Sequence, residues 1–252
     1  MWFWNKKHTI AASGILQGAA DHHSHILPGV DDGVETMDEA LHILATYEAM
    51  GIKELWLTPH IMEDIPNTPQ KLEASFDELK AAYTGNITLH LAAEYMIDNH
   101  LRKLLQDCHS EPQGGISTPK ENNLLPIGTA SKHILVETSY FNAPMRMNET
   151  LQQIKSLGYF PLLAHPERYM YLDNADYLKL HSQGVKYQLN LASLAGGYGK
   201  AVKKKAEWLL SNGLYSVAGT DLHCEDAIEF ITKCKLREKV VEQVEKLLHD
   251  SI

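Results

Sequence analysis

Apolar, β-rich runs alternate with amphipathic stretches from one end of this chain to the other. The runs predict strands at 18–23, 54–58 (ELWLT), 87–93 (ITLHLAA), 134–138 (ILVET), 160–164 (FPLLA), 186–190 (KYQLN) and 215–220 (YSVAGT), with stretches of helical period between them. Thr36 and Glu39 have the spacing of a capping box that opens the first helix, and Gly51 stands just past its end. Leu72, Phe76, Leu79 and Tyr83 form one apolar face of a second helix. Asn148 is placed to cap a third, which carries Leu151, Ile154 and Leu157 and stops at Gly158. Residues 236–250 predict a terminal helix whose buried side is Val240, Val241, Val244, Leu247 and Leu248.

Seven βα units of this length predict an α/β single domain built as a closed or nearly closed parallel barrel. A doubly wound open sheet has the same periodicity and is the alternative. Residues 18–252 form that domain, and residues 1–17 stand before it as an N-terminal extension. The segment 108–126 breaks the rhythm with Pro112, Gly114, Gly115, Pro119 and Pro126, and reads as a surface insertion, either a lid or a plain excursion. The opening WFW and the short apolar stretch that Gln17 interrupts suit an ordered extension better than a signal peptide.

Composition narrows the function classes. The 252 residues are 44% hydrophobic and 22% charged, the profile of a water-soluble domain with a substantial core. No apolar run approaches the ~18 residues of a membrane span. A formal charge of −9 disfavours a nucleic-acid surface. Cys108, Cys224 and Cys234 have no paired spacing, which predicts a reducing, cytoplasmic compartment. The unusual count is fourteen histidines.

Where those histidines fall is informative. In DHHSHILPGVDDG, from residue 21, period two puts Asp21, His23 and His25 on one face of the first strand and His22 on the other. Two imidazoles on one face can close on one ion, while a nearby aspartate steers a ring from behind. Later strands end on His60 (TPH), Glu94, Glu137, His165 and Arg168 (AHPER), Asn190, and finally Asp221 and His223 (GTDLH). In a parallel barrel all those ends meet at one face. Five histidines and three carboxylates exceed what one zinc uses. Imidazole and carboxylate donors without cysteine suit two or three ions of manganese, iron or zinc.

Each residue alone has a plainer reading. A single strand histidine is usually a hydrogen-bonded core group, Glu94 and Glu137 could be solvated strand ends, and Asp221 a helix cap. Chance explains poorly the joint placement of eight ligand-type residues at six strand ends. The plain reading holds for His22, His42, His90, His100, His109, His133, His181 and His249, taken to have no partners. Asp31 and Asp32 read as turn formers, with a substrate-side role open for one of them. Tyr169 and Tyr171 read as core or rim, and nothing beside Cys224 activates its thiol.

DHHSHILPGVDDG, TPH, AAEYM, ILVET, LLAHPERY, QLNLASL and VAGTDLH together resemble the ordered motifs of the PHP (polymerase and histidinol phosphatase) superfamily. HILPGVDDG and AHPERY are most similar to the manganese-dependent protein tyrosine phosphatases of bacterial capsule and exopolysaccharide loci. The resemblance spans about residues 18–230. It implies a distorted (β/α)7 TIM-like barrel and a trinuclear metal site. By motif position the ligands fall on His23, His25, His60, Glu94, Glu137, His165, Asp221 and His223, and the phosphate-binding arginine on Arg168.

Divalent ions in such a basin attract a phosphate dianion and lower the pKa of water toward neutrality. Arg168, with its planar fork, suits the non-bridging phosphoryl oxygens. A phenolate, of conjugate-acid pKa ~10, leaves with little protonation, which favours aryl phosphate over an alkyl ester. Asp221 or His223 could double as proton donor. The expected activity is a metal-dependent protein-tyrosine phosphatase acting on a tyrosine-rich segment of a bacterial tyrosine kinase. The alternatives are histidinol phosphatase or another small-molecule phosphoesterase, and a non-catalytic binding module that keeps a structural metal. No nucleic-acid partner is expected, and an oligomer is open.

Overall fold

The computed structural model describes residues 6–109, 124–130, 132–250 and 252. The elements run β1 (Lys7–Thr9), α1 (Ile10–Ser13), β2 (Ala20–Ser24), α2 (Met37–Met50), β3 (Glu54–Leu57), β4 (His60–Ile61), α3 (Pro69–Ala82) and β5 (Thr88–Leu91). There follow β6 (Glu94–Met96), α4 (Asn99–His109), β7 (His133–Glu137), α5 (Met147–Ser156), β8 (Phe160–Ala164), a 3-10 turn (Pro166–Arg168), α6 (Asn174–Ser182) and β9 (Lys186–Asn190). The chain ends with α7 (Leu191–Ala195), α8 (Lys200–Ser211), β10 (Val217–Gly219), α9 (Asp226–Thr232), β11 (Lys235–Arg237) and α10 (Glu238–His249).

A six-stranded sheet in the order β10-β9-β8-β7-β6-β4 and a three-stranded sheet in the order β2-β3-β5 are parallel throughout. The α/β class and parallel pairing expected from the sequence are therefore present. Two predicted strands are each followed by a second, short strand that the sequence reading did not include. The run at 54–58 stops at Leu57, and after Pro59 the chain resumes as β4; the run at 87–93 stops at Leu91 and resumes as β6. Pro59 has no N–H to extend a ladder, but its carbonyl accepts from Glu94 N at 3.1 Å. Both chains so step together into the larger sheet, pairing His60 with Glu94. The far edges also meet: Asp221 N donates to His23 O at 2.8 Å and His25 N to Leu222 O at 2.9 Å.

Strand alternation divides the core. Ile134, Val136, Leu163, Leu189 and Ala218 pack into the large cluster that includes the helices. Leu135, Leu162, Ala164 and Val217 point the other way and join Trp56, Ala92 and Ile127 in a smaller cluster.

Helix signals were largely reliable. Thr36 Oγ1 accepts from Glu39 N at 3.2 Å and Gly51 closes α2 at φ 93°, although Glu39 reaches back to Glu35 N rather than to Thr36. Leu72 and Leu79 of α3 are buried, with Phe76 and Tyr83 packed half-buried beside them. Asn148 is not a cap: α5 starts at Met147, and Arg146, which makes no side-chain capping bond, occupies the N-cap position. Met147 is buried against the core, and the helix starts two residues earlier than a cap at Asn148 would give. In α10, Val244, Leu247 and Leu248 are buried and Val240 and Val241 partly so.

The extension is tied to the far end of the chain, because β1 pairs antiparallel with β11 and Ile10 N donates to Cys234 O at 3.0 Å. The WFW opening and residues 110–123 of the predicted insertion lie outside the described residues. Just beyond them Leu124 is buried and Leu125 N donates to Tyr95 Oη at 2.8 Å. Cys108, Cys224 and Cys234 form no disulfide with one another. Among the described residues no helix is long and apolar enough to cross a membrane.

Candidate metal centre

The strand ends bring His23, His25, His60, Glu94, Glu137, His165, Asp221 and His223 to one basin, with Glu94 at its centre. Glu94 Oε2 lies 3.2 Å from His23 Nε2, 3.4 Å from His25 Nε2 and 3.3 Å from His60 Nδ1, and Oε1 lies 3.1 Å from His165 Nε2. Glu137 Oε1 stands 3.3 Å from His60 Nδ1. Asp221 Oδ1 stands 3.4 Å from His23 Nε2, 3.5 Å from His25 Nε2 and 3.6 Å from His223 Nδ1. Among the described residues three groups have donor atoms mutually close enough to share a cation: His23, His25, Glu94 and Asp221; His60, Glu94 and Glu137; and His25, Asp32, His60 and His223.

Backbone features make room for this crowding. A Cβ on Gly219 would meet His23 Cβ at 2.6 Å, and one on Gly33 would meet His25 O at 2.1 Å. Only glycine lets those segments lie so near the histidine strand. His165 (φ 33°) and Asp221 (φ 54°) both sit in the left-handed region, which non-glycine residues seldom adopt.

The rings are oriented from behind. Asp31 Oδ2 accepts from His25 Nδ1 at 2.8 Å, and Gln188 Oε1 accepts from His23 Nδ1 at 3.0 Å. When each ring is neutral those bonds select the Nδ1–H tautomer, so that Nε2 presents its lone pair to the basin. The two Nε2 atoms then face one another at 3.1 Å. His60 Nδ1 and Glu94 Oε1 are buried with no hydrogen-bond partner. Converging lone pairs and orphaned acceptors of this kind fit divalent cations.

Electrostatics agree. Burial alone would raise the Glu94 pKa, but the charge of His23 and the imidazoles of His165, His23 and His25 against its oxygens hold it well below the usual carboxylate range. Burial, reinforced by the charges of Glu94 and Asp221, pushes Glu137 well above that range. Burial raises Asp221 also, yet His23, His25 and His165 override it and lower its pKa. Without a cation, Glu94 and Asp221 raise the pKa of His23 and His25 against the effect of their burial, and bound cations would take the place of those protons.

Some roles were misassigned in the sequence. Asp21 does not steer a ring. Its carboxylate accepts from Thr220 N (2.9 Å), Thr220 Oγ1 (2.7 Å), Tyr47 Oη (3.2 Å) and His23 N (3.2 Å), pinning the loop before Asp221 to β2. Asp31 does form the turn, accepting from Gly33 N at 3.0 Å, and also holds His25 and the backbone N of His60. Asp32, 3.4 Å from His60 Nε2 and 3.6 Å from His223 Nε2, belongs to the third donor group. Gln188 and Glu167 were overlooked. The latter is fully buried and accepts from Asn190 N at 3.0 Å and Tyr215 Oη at 2.8 Å. A glutamine within a strand and a glutamate in a turn carry no signal that separates them from ordinary polar residues.

Arg168 borders the basin, donating from Nη1 to Asp221 Oδ2 at 3.0 Å. Asn190 Nδ2 donates to the same oxygen at 2.8 Å. Tyr169 is buried, and its hydroxyl stands 3.4 Å from His165 Nδ1 and donates or accepts there according to the tautomer. His22 is buried on the opposite strand face, with Nδ1 3.3 Å from Ala218 O. His42 and His90 do have partners, in Glu225 at 2.9 Å and Glu54 at 3.0 Å, but both lie outside the three donor groups.

The family model described as "Capsular polysaccharide synthesis, CpsB/CapC" matches residues 19–245. The chain is 25% identical over 256 residues to tyrosine-protein phosphatase CpsB of Streptococcus pneumoniae, covering 92% of this chain and 99% of that protein. It is 26% identical over 207 residues to tyrosine-protein phosphatase YwqE of Bacillus subtilis, covering 81% and 76%. A solved structure from work on YwqE and CpsB as unique metal-dependent tyrosine phosphatases superposes with a TM-score of 0.70 at 21% identity, over 92% of this chain and 95% of that one.

Proposed function

We propose that this chain, which belongs to the CpsB/CapC family of capsular polysaccharide synthesis, is a metal-dependent tyrosine-protein phosphatase. The observation that carries the reading is the gathering of five imidazoles and three carboxylates in one basin, four of the imidazoles directly against Glu94. We assign His23, His25, His60, Glu94, Glu137, His165, Asp221 and His223 as metal ligands, with Asp32 added from its position beside His60 and His223. Manganese is our first choice, as two or three ions, and iron or zinc the alternatives.

When bound, such ions supply Lewis-acid stabilisation of phosphoryl oxygens and a water of lowered pKa. The protein's own groups do the rest. Arg168 meets the non-bridging oxygens through its planar N–H fork, and it keeps its charge at any working pH. Asp31 and Gln188 hold the His25 and His23 rings in one tautomer. Asp221 divides its oxygens, one toward the histidines and one toward Arg168 and Asn190. His223, about a third exposed, is the proposed holder of the proton that a leaving phenolate can accept.

The finer architecture follows the same reading. Joining β3 with β4 and β5 with β6 leaves seven parallel segments, which we take as a distorted (β/α)7 barrel over residues 18–252. Residues 1–17 are then an extension anchored through β1 and β11. The substrate is proposed to be a phosphotyrosine-bearing bacterial tyrosine kinase in the cytoplasm.

Steady-state kinetics on a phosphotyrosyl peptide and on histidinol phosphate test the reading. The expected result is metal-dependent turnover with a clear preference for the peptide. Preference for histidinol phosphate, or no metal-dependent hydrolysis of either, overturns it.

A further inference from the structure

We infer that Tyr140 and Tyr198 are positioning residues for Arg168, holding its guanidinium so that it can meet a phosphoryl group only through its edge. The inference rests on the phosphatase reading for its substrate. The Arg168 Cζ lies 4.0 Å from the centroid of the Tyr140 ring and 4.1 Å from that of Tyr198. A cation over one aromatic face is an ordinary contact; here one guanidinium is held between two. Its side chain is only 16% exposed.

Both rings are themselves anchored. Asn190 Nδ2 donates to Tyr198 Oη at 3.3 Å and to Asp221 Oδ2 at 2.8 Å, so the ring is tied to the carboxylate that Arg168 also contacts. The Tyr140 ring stacks on Tyr169 at 6.2 Å and lies 6.0 Å from His165. Tyr140 follows β7 and Tyr198 follows α7, so two separate loops close on one arginine.

The arrangement has a chemical consequence. With aromatic faces against it, the guanidinium is not free to stack on the ring of a phosphotyrosine. It recognises the phosphoryl oxygens and leaves preference for the aryl group to other parts of the site. Loss of either ring should therefore weaken phosphate recognition equally for every ester, through Arg168 alone.

The test is a double-mutant cycle on the metal-loaded protein, with inorganic phosphate as probe, read by calorimetry and by inhibition of p-nitrophenyl phosphate and phosphotyrosyl-peptide hydrolysis. Y140L and Y198L are each expected to weaken phosphate binding about fivefold, while Y140F and Y198F stay within about twofold. In an R168A background Y198L should have no further effect. Tyr198 is 40% exposed, so its substitution leaves the core intact. Full additivity with R168A, phosphate affinity unchanged in the leucine variants, or phenylalanine variants as weak as leucine ones each overturn the clamp. If the unaltered protein leaves phosphotyrosyl peptide intact while the cycle stands, the phosphatase reading fails and the clamp survives.

Discussion

The Nε2 atoms of His23 and His25 face each other at 3.1 Å. Each ring spends its Nδ1 proton elsewhere, on Gln188 and on Asp31, so two lone pairs point at the same spot. Two acceptors at that distance repel unless a cation stands between or beside them. Glu94 of β6 and Asp221 after β10 face the same spot from the larger sheet, so bound metal should hold the two sheets together as well as serve chemistry. Chelation is expected to lower the melting temperature and manganese to restore it. At free metal ~100-fold above its dissociation constant the linkage is ~2.7 kcal/mol, or ~5–10 °C for a chain of this size. Identical melting with and without chelator would remove the metal centre from the account.

Asp31 should matter to metal affinity without itself joining a donor group. Replacing it with alanine frees the His25 ring to rotate or change tautomer, and a change of that kind typically costs ~10–100-fold in affinity. Asparagine keeps an acceptor for His25 Nδ1, so Asp31→Asn is expected to lose less than Asp31→Ala. Metal titration followed by calorimetry distinguishes the two. Equal affinity in Asp31→Ala and the unaltered protein would mean that the carboxylate only shapes the turn.

Arg168 should not be replaceable by lysine. An ammonium has no planar fork and cannot fill the space between the Tyr140 and Tyr198 rings. Both Arg168→Ala and Arg168→Lys are expected to lose ~10²-fold or more in kcat/KM on a phosphotyrosyl peptide. Full activity in the lysine variant would show that charge alone suffices there.

The ligand residues were legible in the sequence because titratable side chains are rare at the ends of apolar strands, and six of the seven predicted strands repeated the pattern. Residues that serve those ligands were not. Asp31 and Asp32 look alike in PGVDDG, yet one holds a ring and the other faces two. Asp21 shares the strand face of His23, but Thr220 and Tyr47 claim its carboxylate. Both partners are remote in sequence, and no local pattern announces them. The short strands β4 and β6 were hidden for a similar reason: the third apolar run is continuous across Ala92 and Ala93, and the step into the larger sheet is set by pairing with Pro59 and His60.

His22 makes the last case, since it is a histidine that the basin does not use. Its ring is buried on the reverse face of β2, with Nδ1 donating to Ala218 O at 3.3 Å. Burial, only partly opposed by that bond and by the charge of Glu54, lowers its pKa from 6.5 to about 4. The folded state therefore keeps the ring neutral, while the unfolded chain protonates it as pH falls below 6.5. Stabilisation from this group is full above 6.5 and lost as pH falls through 6.5 toward about 4. The loss is at most about 3 kcal/mol. In His22→Gln, which cannot take up that proton, the decline over this window should be shallower than in the unaltered protein. Denaturant unfolding at pH 7 and pH 4.5, in chelator so that metal release contributes nothing, measures the difference. Parallel declines would mean that other groups carry the acid sensitivity and that the buried ring titrates alike in both states.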